Sequence, residues 1–220
     1  MATNHEIRFA IDPVSASTMN TEELREHFLI DDLFAPGAVN WTYTHYDRMA
    51  VGGAVPGAQA LVLEAIKPTG TQGFLDRREL IAANIGAAGT ISVDGKDYAV
   101  GERDMLYVGM GAKDVRFAGA GAKFYLLSAP AHASHPTTLI RQSDAKRLDL
   151  GSRETANERS IFQFVNADSV KTCQLVVGLT RLEPGSVWNT MPAHVHDRRM
   201  EAYLYIDLPE GARAIHLMGE

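Results

Sequence analysis

The sequence is poor in several features that define whole classes of protein. Cys173 is the one cysteine among 220 residues, so no intramolecular disulfide forms, as is typical of a reducing compartment. No apolar run approaches the length that crosses a membrane, and we expect no membrane partner. The first residues lack the basic and apolar regions of a secretion signal. The net charge is −6 with no basic run, which argues against a nucleic-acid partner.

The composition that remains is that of an ordinary globular protein. Hydrophobic residues make up 45% and charged residues 22%, and the length suits one large or two small domains. One helix is predicted over residues 20–34, where Asn20 is a suitable N-cap and Glu23 stands at the capping-box position. Pro36 follows the apolar side of this segment and ends it.

Strand signals dominate after this helix. Residues 39–47 alternate between apolar and polar side chains, and His45 is interpreted as a half-buried strand residue and not as a ligand. Further strand signals lie at residues 161–165 and 172–180. Cys173 falls in the second of these runs and is predicted to be a small buried strand residue.

The stretch 80–128 reads as a series of short strands separated by turns. Asp94-Gly95 is a strong hairpin signal, because both central residues of a tight two-residue turn need a positive φ. Strands at this even spacing are typical of a sandwich or of a barrel built from two sheets. The sequence therefore predicts an all-β fold with a short N-terminal helix.

Four regions follow along the chain. We predict an N-terminal arm and helix at 1–37, a first β-barrel without a metal motif at 38–133, a polar connection at 134–160, and a second, metal-binding barrel at 161–220. Both halves contain a Pro-Gly pair followed by Asp-Arg-Arg and a glutamate. This short repeat supports two similar barrels in tandem.

A histidine-rich segment in the second half carries the clearest chemistry. His194 and His196 are two residues apart, so they point to the same side of a strand, and Glu201 opens the next strand-like run. Two imidazoles and a carboxylate suit a divalent transition metal. With Gly185 upstream, the order resembles the first cupin motif, although the gap from the glycine to the first histidine is longer than usual.

Several segments together resemble one enzyme family over almost the whole chain. They are residues 77–80, 84–95, 104–113, 129–132, 172–175, 188–192 and 194–201. The family is that of 5-keto-4-deoxyuronate isomerase, also called 4-deoxy-L-threo-5-hexosulose-uronate ketol-isomerase. The resemblance implies a tandem cupin (bicupin) fold of double-stranded β-helices, a homohexamer, one zinc ion (Zn²⁺) per subunit and a cytoplasmic role in breaking down pectin-derived uronates.

The resemblance also implies the metal ligands, which in this family are three histidines and one glutamate. His194, His196 and Glu201 match three of them. The fourth histidine of the family lies on a later strand, and His216 does not match it in context. We therefore expect the chain to be truncated after Glu220, with an incomplete second barrel and an uncertain activity of its own.

The implied reaction interconverts 5-keto-4-deoxyuronate and 3-deoxy-D-glycero-2,5-hexodiulosonate. A proton leaves a carbon next to a carbonyl and an enediol forms, which a Lewis-acidic zinc ion favours. The sequence does not identify the group that moves the proton. Tyr203 and Tyr205 share a strand face with Glu201, but their preferred interpretation is as core residues.

The substrate carries a carboxylate, and arginine is its natural bidentate partner. Arg198 and Arg199 lie beside the predicted ligands, and Arg48 follows a predicted strand. A surface or structural ion pair is the alternative for each of the three. Trp188 either lines the pocket or, as we prefer, belongs to the core.

Two other functions remain open on the sequence. A triad of two histidines and one carboxylate with open positions also suits an iron(II)-type cupin dioxygenase. A non-catalytic, sugar-binding cupin would keep the fold without the chemistry. The metal content of the purified protein separates the third possibility from the two enzymes.

Overall fold

The computed structural model describes residues 2–191 and 193–217, and strands dominate this part of the chain. The helices are α1 (Pro13–Thr18) and α2 (Thr21–Phe28), and short 3₁₀ turns occur at Lys67–Thr69 and Gln142–Asp144. The strands are β1 (Ala2–Arg8), β2 (Ala38–Thr44), β3 (Ala50–Ala54), β4 (Leu61–Val62), β5 (Arg78–Asn84), β6 (Gly89–Val93), β7 (Lys96–Val100), β8 (Met105–Val108), β9 (Val115–Ala118), β10 (Phe124–Pro130), β11 (Thr138–Ile140), β12 (Lys146–Leu150), β13 (Arg159–Val165) and β14 (Val177–Leu182). None of the helices described is long and apolar enough to cross a membrane.

The strands form three sheets. The central sheet has seven strands in the order β1-β2-β3-β10-β5-β8-β11. A four-stranded sheet has the order β4-β9-β6-β7, and a three-stranded sheet has the order β12-β13-β14. The pairing is antiparallel except that β1 runs parallel to β2 at the edge of the central sheet. The predicted all-β fold is confirmed.

The middle of the central sheet is buried on both faces. On β5, Leu80 and Ala82 belong to the core shared with the four-stranded sheet, where Trp41 stacks on Phe74 with ring centroids 4.6 Å apart. The intervening Ile81 and Ala83 belong to a second core on the opposite face, which β13 and the segment before β14 help to form. Residues 80–83 of β5 are therefore all apolar, because neither face of the strand meets water there.

A buried carboxylate joins the central sheet to the second half of the chain. Glu79 on β5 is fully buried. Its Oε1 accepts hydrogen bonds from the backbone N–H groups of Gln174 (2.7 Å) and Leu175 (2.9 Å). Its Oε2 accepts the N–H of Cys173 (2.7 Å) and the hydroxyl of Tyr107 (3.0 Å). Burial and the nearby Glu79 charge raise the pKa of Tyr107 above its ordinary value.

Helix α2 begins as predicted but ends earlier. Asn20 accepts the N–H of Glu23 at 3.0 Å, and the Glu23 carboxylate accepts the N–H of Asn20 at 2.8 Å, so the capping box is confirmed. The helix ends at Phe28, and the prediction that it reaches residue 34 is wrong. Leu33 turns into the second core instead, and its carbonyl oxygen lies against the backbone of Gly53, where a side chain would collide.

The first part of the chain holds two elements that were not predicted. Strand β1 pairs in parallel with β2 over its whole length. Helix α1 is capped by Asp12, whose carboxylate accepts the N–H groups of Val14 and Ser15 at 3.0 Å each. Strand β1 depends on pairing with a distant strand, and helix α1 depends on its cap. Hydrophobic periodicity reveals neither of these.

The alternating segment becomes β2, and its apolar face is buried as predicted, with Trp41 and Tyr43 in the core. His45 lies beyond the strand end, is exposed, and stacks on Phe9 at 4.6 Å, so its half-buried strand assignment is wrong. The Asp94-Gly95 hairpin between β6 and β7 is confirmed, with φ values of 48° and 83°.

In the second half, the strand predicted at 161–165 is confirmed as part of β13. The strand predicted at 172–180 begins only at Val177, because Cys173 and its neighbours form a half-buried loop around Glu79. The described residues of 183–217 contain no strand. The prediction that Glu201 opens a strand is therefore wrong.

We expect Glu79→Ala to lower the free energy of unfolding by about 3 kcal/mol or more. The change removes the acceptor of the N–H groups of residues 173–175 and of the Tyr107 hydroxyl, and the Leu175 N–H and this hydroxyl are buried. Urea denaturation of wild type and variant measures the difference. Glu64→Ala is the matched control, because Glu64 is exposed. Equal stability of the two variants would refute this role of Glu79.

Candidate active site

The candidate site lies in the loop that follows β14. The chain leaves this strand through a turn in which the N–H of Ser186 donates to the carbonyl of Glu183 at 2.9 Å. Gly185 adopts a φ of 92° there, a conformation that favours glycine. The N–H of Val187 then donates to the carbonyl of Ala156 at 2.9 Å, which fixes the start of the loop against the turn before β13.

The three predicted metal ligands are neighbours in space. The rings of His194 and His196 have centroids 4.9 Å apart and are nearly perpendicular, at 85°. The Nε2 atom of His196 lies 3.8 Å from Oε1 of Glu201. The side chains of His196 and Glu201 remain partly exposed, at 38% and 30%. The structure thus gathers the motif at the surface of a loop and not inside a closed barrel.

The donor types and one of the spacings suit a zinc ion. Two ligand atoms of a tetrahedral zinc ion are about 3.4 Å apart, close to the 3.8 Å between His196 and Glu201. Within residues 2–191 and 193–217, no group of three or more His, Cys, Asp or Glu side chains is arranged around one point that would hold a metal. Binding of one ion by all three side chains therefore requires them to come closer together than they are here.

Hydrogen bonds hold the Glu201 carboxylate in its charged form. Arg199 donates to Oε1 from Nε (2.9 Å) and also lies 2.7 Å from it through Nη2. The Tyr203 hydroxyl donates to Oε2 at 2.8 Å. Partial burial acts to raise the pKa of Glu201, but the bonds from Tyr203 and Arg199 outweigh it and the pKa lies below its ordinary value. A charged carboxylate is the form that a metal binds.

Two tyrosines lie beside this carboxylate. Burial, with the hydrogen bond to Glu201, raises the pKa of Tyr203 to about 12. The Tyr205 hydroxyl and His216 Nδ1 are 2.7 Å apart, and the His216 ring lies 4.9 Å from that of Tyr203. Tyr203 is 55% and Tyr205 49% exposed, so the core assignment for them is wrong. Ala202 and Leu204, which alternate with them, pack on the second core instead.

The three predicted substrate-binding arginines have different surroundings. Arg199 is engaged with Glu201. Arg198 is exposed beside it. Arg48 belongs to the hairpin turn between β2 and β3, and the preceding Asp47 accepts the N–H of Met200 through Oδ2 at 3.2 Å. This bond joins positions 153 residues apart, and it brings the turn of the first half against the loop of the candidate site.

Sequence reasoning missed Asp47. It occupies a tight turn with a φ of 50°, and Asp is one of the residues that tolerate this conformation. The turn itself could have been found from the alternating strands around it. The contact with Met200 could not have been found, because no sequence pattern near Asp47 or near Met200 links the two residues.

We expect Asp47→Gly to loosen the loop of the candidate site. Glycine accepts the positive φ without strain but offers no acceptor to Met200. The peptide spanning residues 193–204 should then exchange its amide hydrogens about fivefold faster, as the loss of one hydrogen bond implies. Hydrogen exchange read by mass spectrometry measures this. Asp47→Asn keeps a side-chain oxygen and should exchange like wild type, and so would Asp47→Gly if the contact has no effect.

Comparison with known proteins supports the resemblance drawn from the motifs. Residues 29–208 match the KduI/IolB family. A protein of Rhizobium meliloti (strain 1021) named 4-deoxy-L-threo-5-hexosulose-uronate ketol-isomerase 2 is 60% identical over 221 residues, which cover 99% of this chain and 78% of the relative. A protein of Cereibacter sphaeroides (strain ATCC 17029 / ATH 2.4.9) with the name 4-deoxy-L-threo-5-hexosulose-uronate ketol-isomerase is 59% identical over 218 residues, 99% of this chain and 79% of its own.

A further Rhizobium meliloti relative, named ketol-isomerase 1 for the same hexosulose uronate, is 53% identical and covers 100% of this chain and 80% of its own. Among solved structures, an IolB-like protein from Salmonella typhimurium LT2 has a TM-score of 0.45 and 13% identity, over 56% of this chain and 46% of that one. On the family match and the identity to these relatives, the chain belongs to the KduI/IolB family.

Proposed function

We propose that this protein is a ketol-isomerase that interconverts 5-keto-4-deoxyuronate and 3-deoxy-D-glycero-2,5-hexodiulosonate. The observation that carries the proposal is the 60% identity, across nearly the whole chain, to a relative named for this activity. The cluster of His194, His196 and Glu201 supports it, because it lies in a loop that substrate can reach. A place in uronate breakdown, a cytoplasmic location and a homo-oligomer follow from the same family relationship as parts of the proposal.

We further propose that His194, His196 and Glu201 hold one zinc ion. Two imidazoles and a carboxylate held in its charged form are a suitable donor set, and the 3.8 Å spacing of His196 and Glu201 requires little change. A zinc ion bound there would supply Lewis acidity next to the substrate carbonyl.

The residues around Glu201 orient it. The Tyr203 hydroxyl donates to Oε2 of Glu201 at 2.8 Å, and its pKa, raised to about 12 by burial and by this bond, favours the protonated, donating form. Arg199 approaches the other carboxylate oxygen with two of its nitrogens. Between them they fix both oxygens, and a carboxylate held in this way loses little freedom when a ligand or substrate arrives.

Arginine selects for the carboxylate that distinguishes a uronate from a neutral sugar. Arg199 is already neutralised by Glu201, whereas Arg198 has no carboxylate within ion-pair distance among the described residues. Arg198 therefore remains a candidate for the substrate carboxylate, together with Arg48 across the Asp47–Met200 contact.

We expect His196→Ala to reduce isomerase turnover at least about 100-fold and to lower the zinc content, with the fold unchanged. Turnover is assayed in metal-free buffer with a defined amount of zinc, metal content by mass spectrometry, and the fold by circular dichroism. His5→Ala, on the exposed edge strand β1, is the matched control.

Unchanged turnover of His196→Ala would contradict the proposed site. Oxygen consumption by the iron-loaded wild type, in place of isomerisation, would favour the dioxygenase. A metal-free wild type that binds the uronate without converting it would favour a non-catalytic cupin.

A further inference from the structure

The turn between β2 and β3 has a conformation that its sequence does not favour. Asp47 and Arg48 both have left-handed backbones, with φ values of 50° and 54°, and the N–H of Met49 closes the turn on the carbonyl of Tyr46 at 3.0 Å. Tight turns of this kind usually place glycine at the second position, because a side chain there crowds its own backbone. Arginine at this position is therefore held against its local preference.

A buried arginine holds the turn from below. Arg78 is only 5% exposed, and its Nη2 donates to the carbonyl oxygen of Arg48 at 2.8 Å and to that of Ser128 at 2.7 Å. Its Nε donates to the Ser128 hydroxyl at 3.0 Å. These acceptors are neutral, and no described residue places a carboxylate within 4 Å of this guanidinium. Burial lowers the pKa of Arg78 to about 10, which leaves it charged at neutral pH.

The other side of the turn faces the candidate site. Asp47 accepts the N–H of Met200, the residue immediately before Glu201. The Arg48 side chain is exposed, and among the described residues its guanidinium has no hydrogen-bond or ion-pair partner. One buried and one surface positive charge thus lie beside the site. The two carboxylates nearest to them are already engaged, Asp47 with Met200 and Glu201 with Arg199 and Tyr203. Strained backbone that the surrounding structure maintains is a feature of functional sites.

We propose that Arg48 binds the carboxylate of the uronate substrate, and that the Asp47–Arg48 turn, anchored by Arg78, positions it for this. The inference rests on the proposed function and identifies Arg48 as the residue that selects a uronate over a neutral sugar. Arg48 is better placed for this role than Arg199, which Glu201 already occupies. It also lies on a turn that hydrogen bonds from Arg78 and from the Met200 N–H hold in place, whereas Arg198 lies in an irregular loop.

The test compares steady-state kinetics of wild type, Arg48→Gln and Arg48→Lys, each loaded with zinc, on 5-keto-4-deoxyuronate. Loss of a charge-assisted hydrogen bond to the substrate should raise KM about 10-fold or more in Arg48→Gln, with kcat within about threefold of wild type. Arg48→Lys should recover part of the loss, since it keeps the charge but not the bidentate geometry. Arg116→Gln, an exposed arginine on β9, makes the same charge change elsewhere and should leave KM unaltered.

Arg48→Gly separates substrate binding from a structural role. Glycine removes the strain of a left-handed backbone at this position, and the bond from Arg78 is kept because it goes to the backbone carbonyl. The melting temperature should therefore equal or exceed that of wild type, while KM rises. An unchanged KM in Arg48→Gln, or a loss of kcat that follows a lower melting temperature, would overturn the inference. An inactive wild type would instead refute the proposed function.

Discussion

The carboxylate of Glu79 is the interaction on which the arrangement of the two halves depends. It is fully buried and accepts three backbone N–H groups from residues 173–175 and the hydroxyl of Tyr107. A buried carboxylate is unfavourable unless such donors surround it, so the loop before β14 has to lie over β5. The start of the segment that leads to the candidate site is fixed in this way.

The central sheet transmits that constraint to the site. Its one face packs on the four-stranded sheet, and its other face packs on β13 and on Ala202 and Leu204, which alternate with the tyrosines beside Glu201. Two neighbouring residues of β5 support different parts of the chain. Glu79 binds the loop before β14, and Arg78 binds the turn that carries Arg48. The turn and the loop that follows β14 meet at the contact between Asp47 and Met200, next to the candidate site.

Local features of the sequence were predictable and distant ones were not. The cap at Asn20, the Asp94-Gly95 hairpin and the buried face of β2 follow from spacing within a few residues. The end of α2 depends on the burial of Leu33 against Gly53, and Cys173 leaves its predicted strand because Glu79 takes its N–H. The motif of His194, His196 and Glu201 lies in one short segment and can be recognised from the sequence, whereas the contact of Asp47 with Met200 joins positions 153 residues apart.

The most direct test of the isomerase assignment follows the reaction of zinc-loaded wild-type protein with 5-keto-4-deoxyuronate in D₂O by NMR. An isomerase that works through an enediol converts the substrate into 3-deoxy-D-glycero-2,5-hexodiulosonate without an external oxidant or reductant, and the carbon that regains a proton takes deuterium from the solvent. We predict this product and this label. Recovery of unlabelled, unconverted substrate under the same conditions would contradict it.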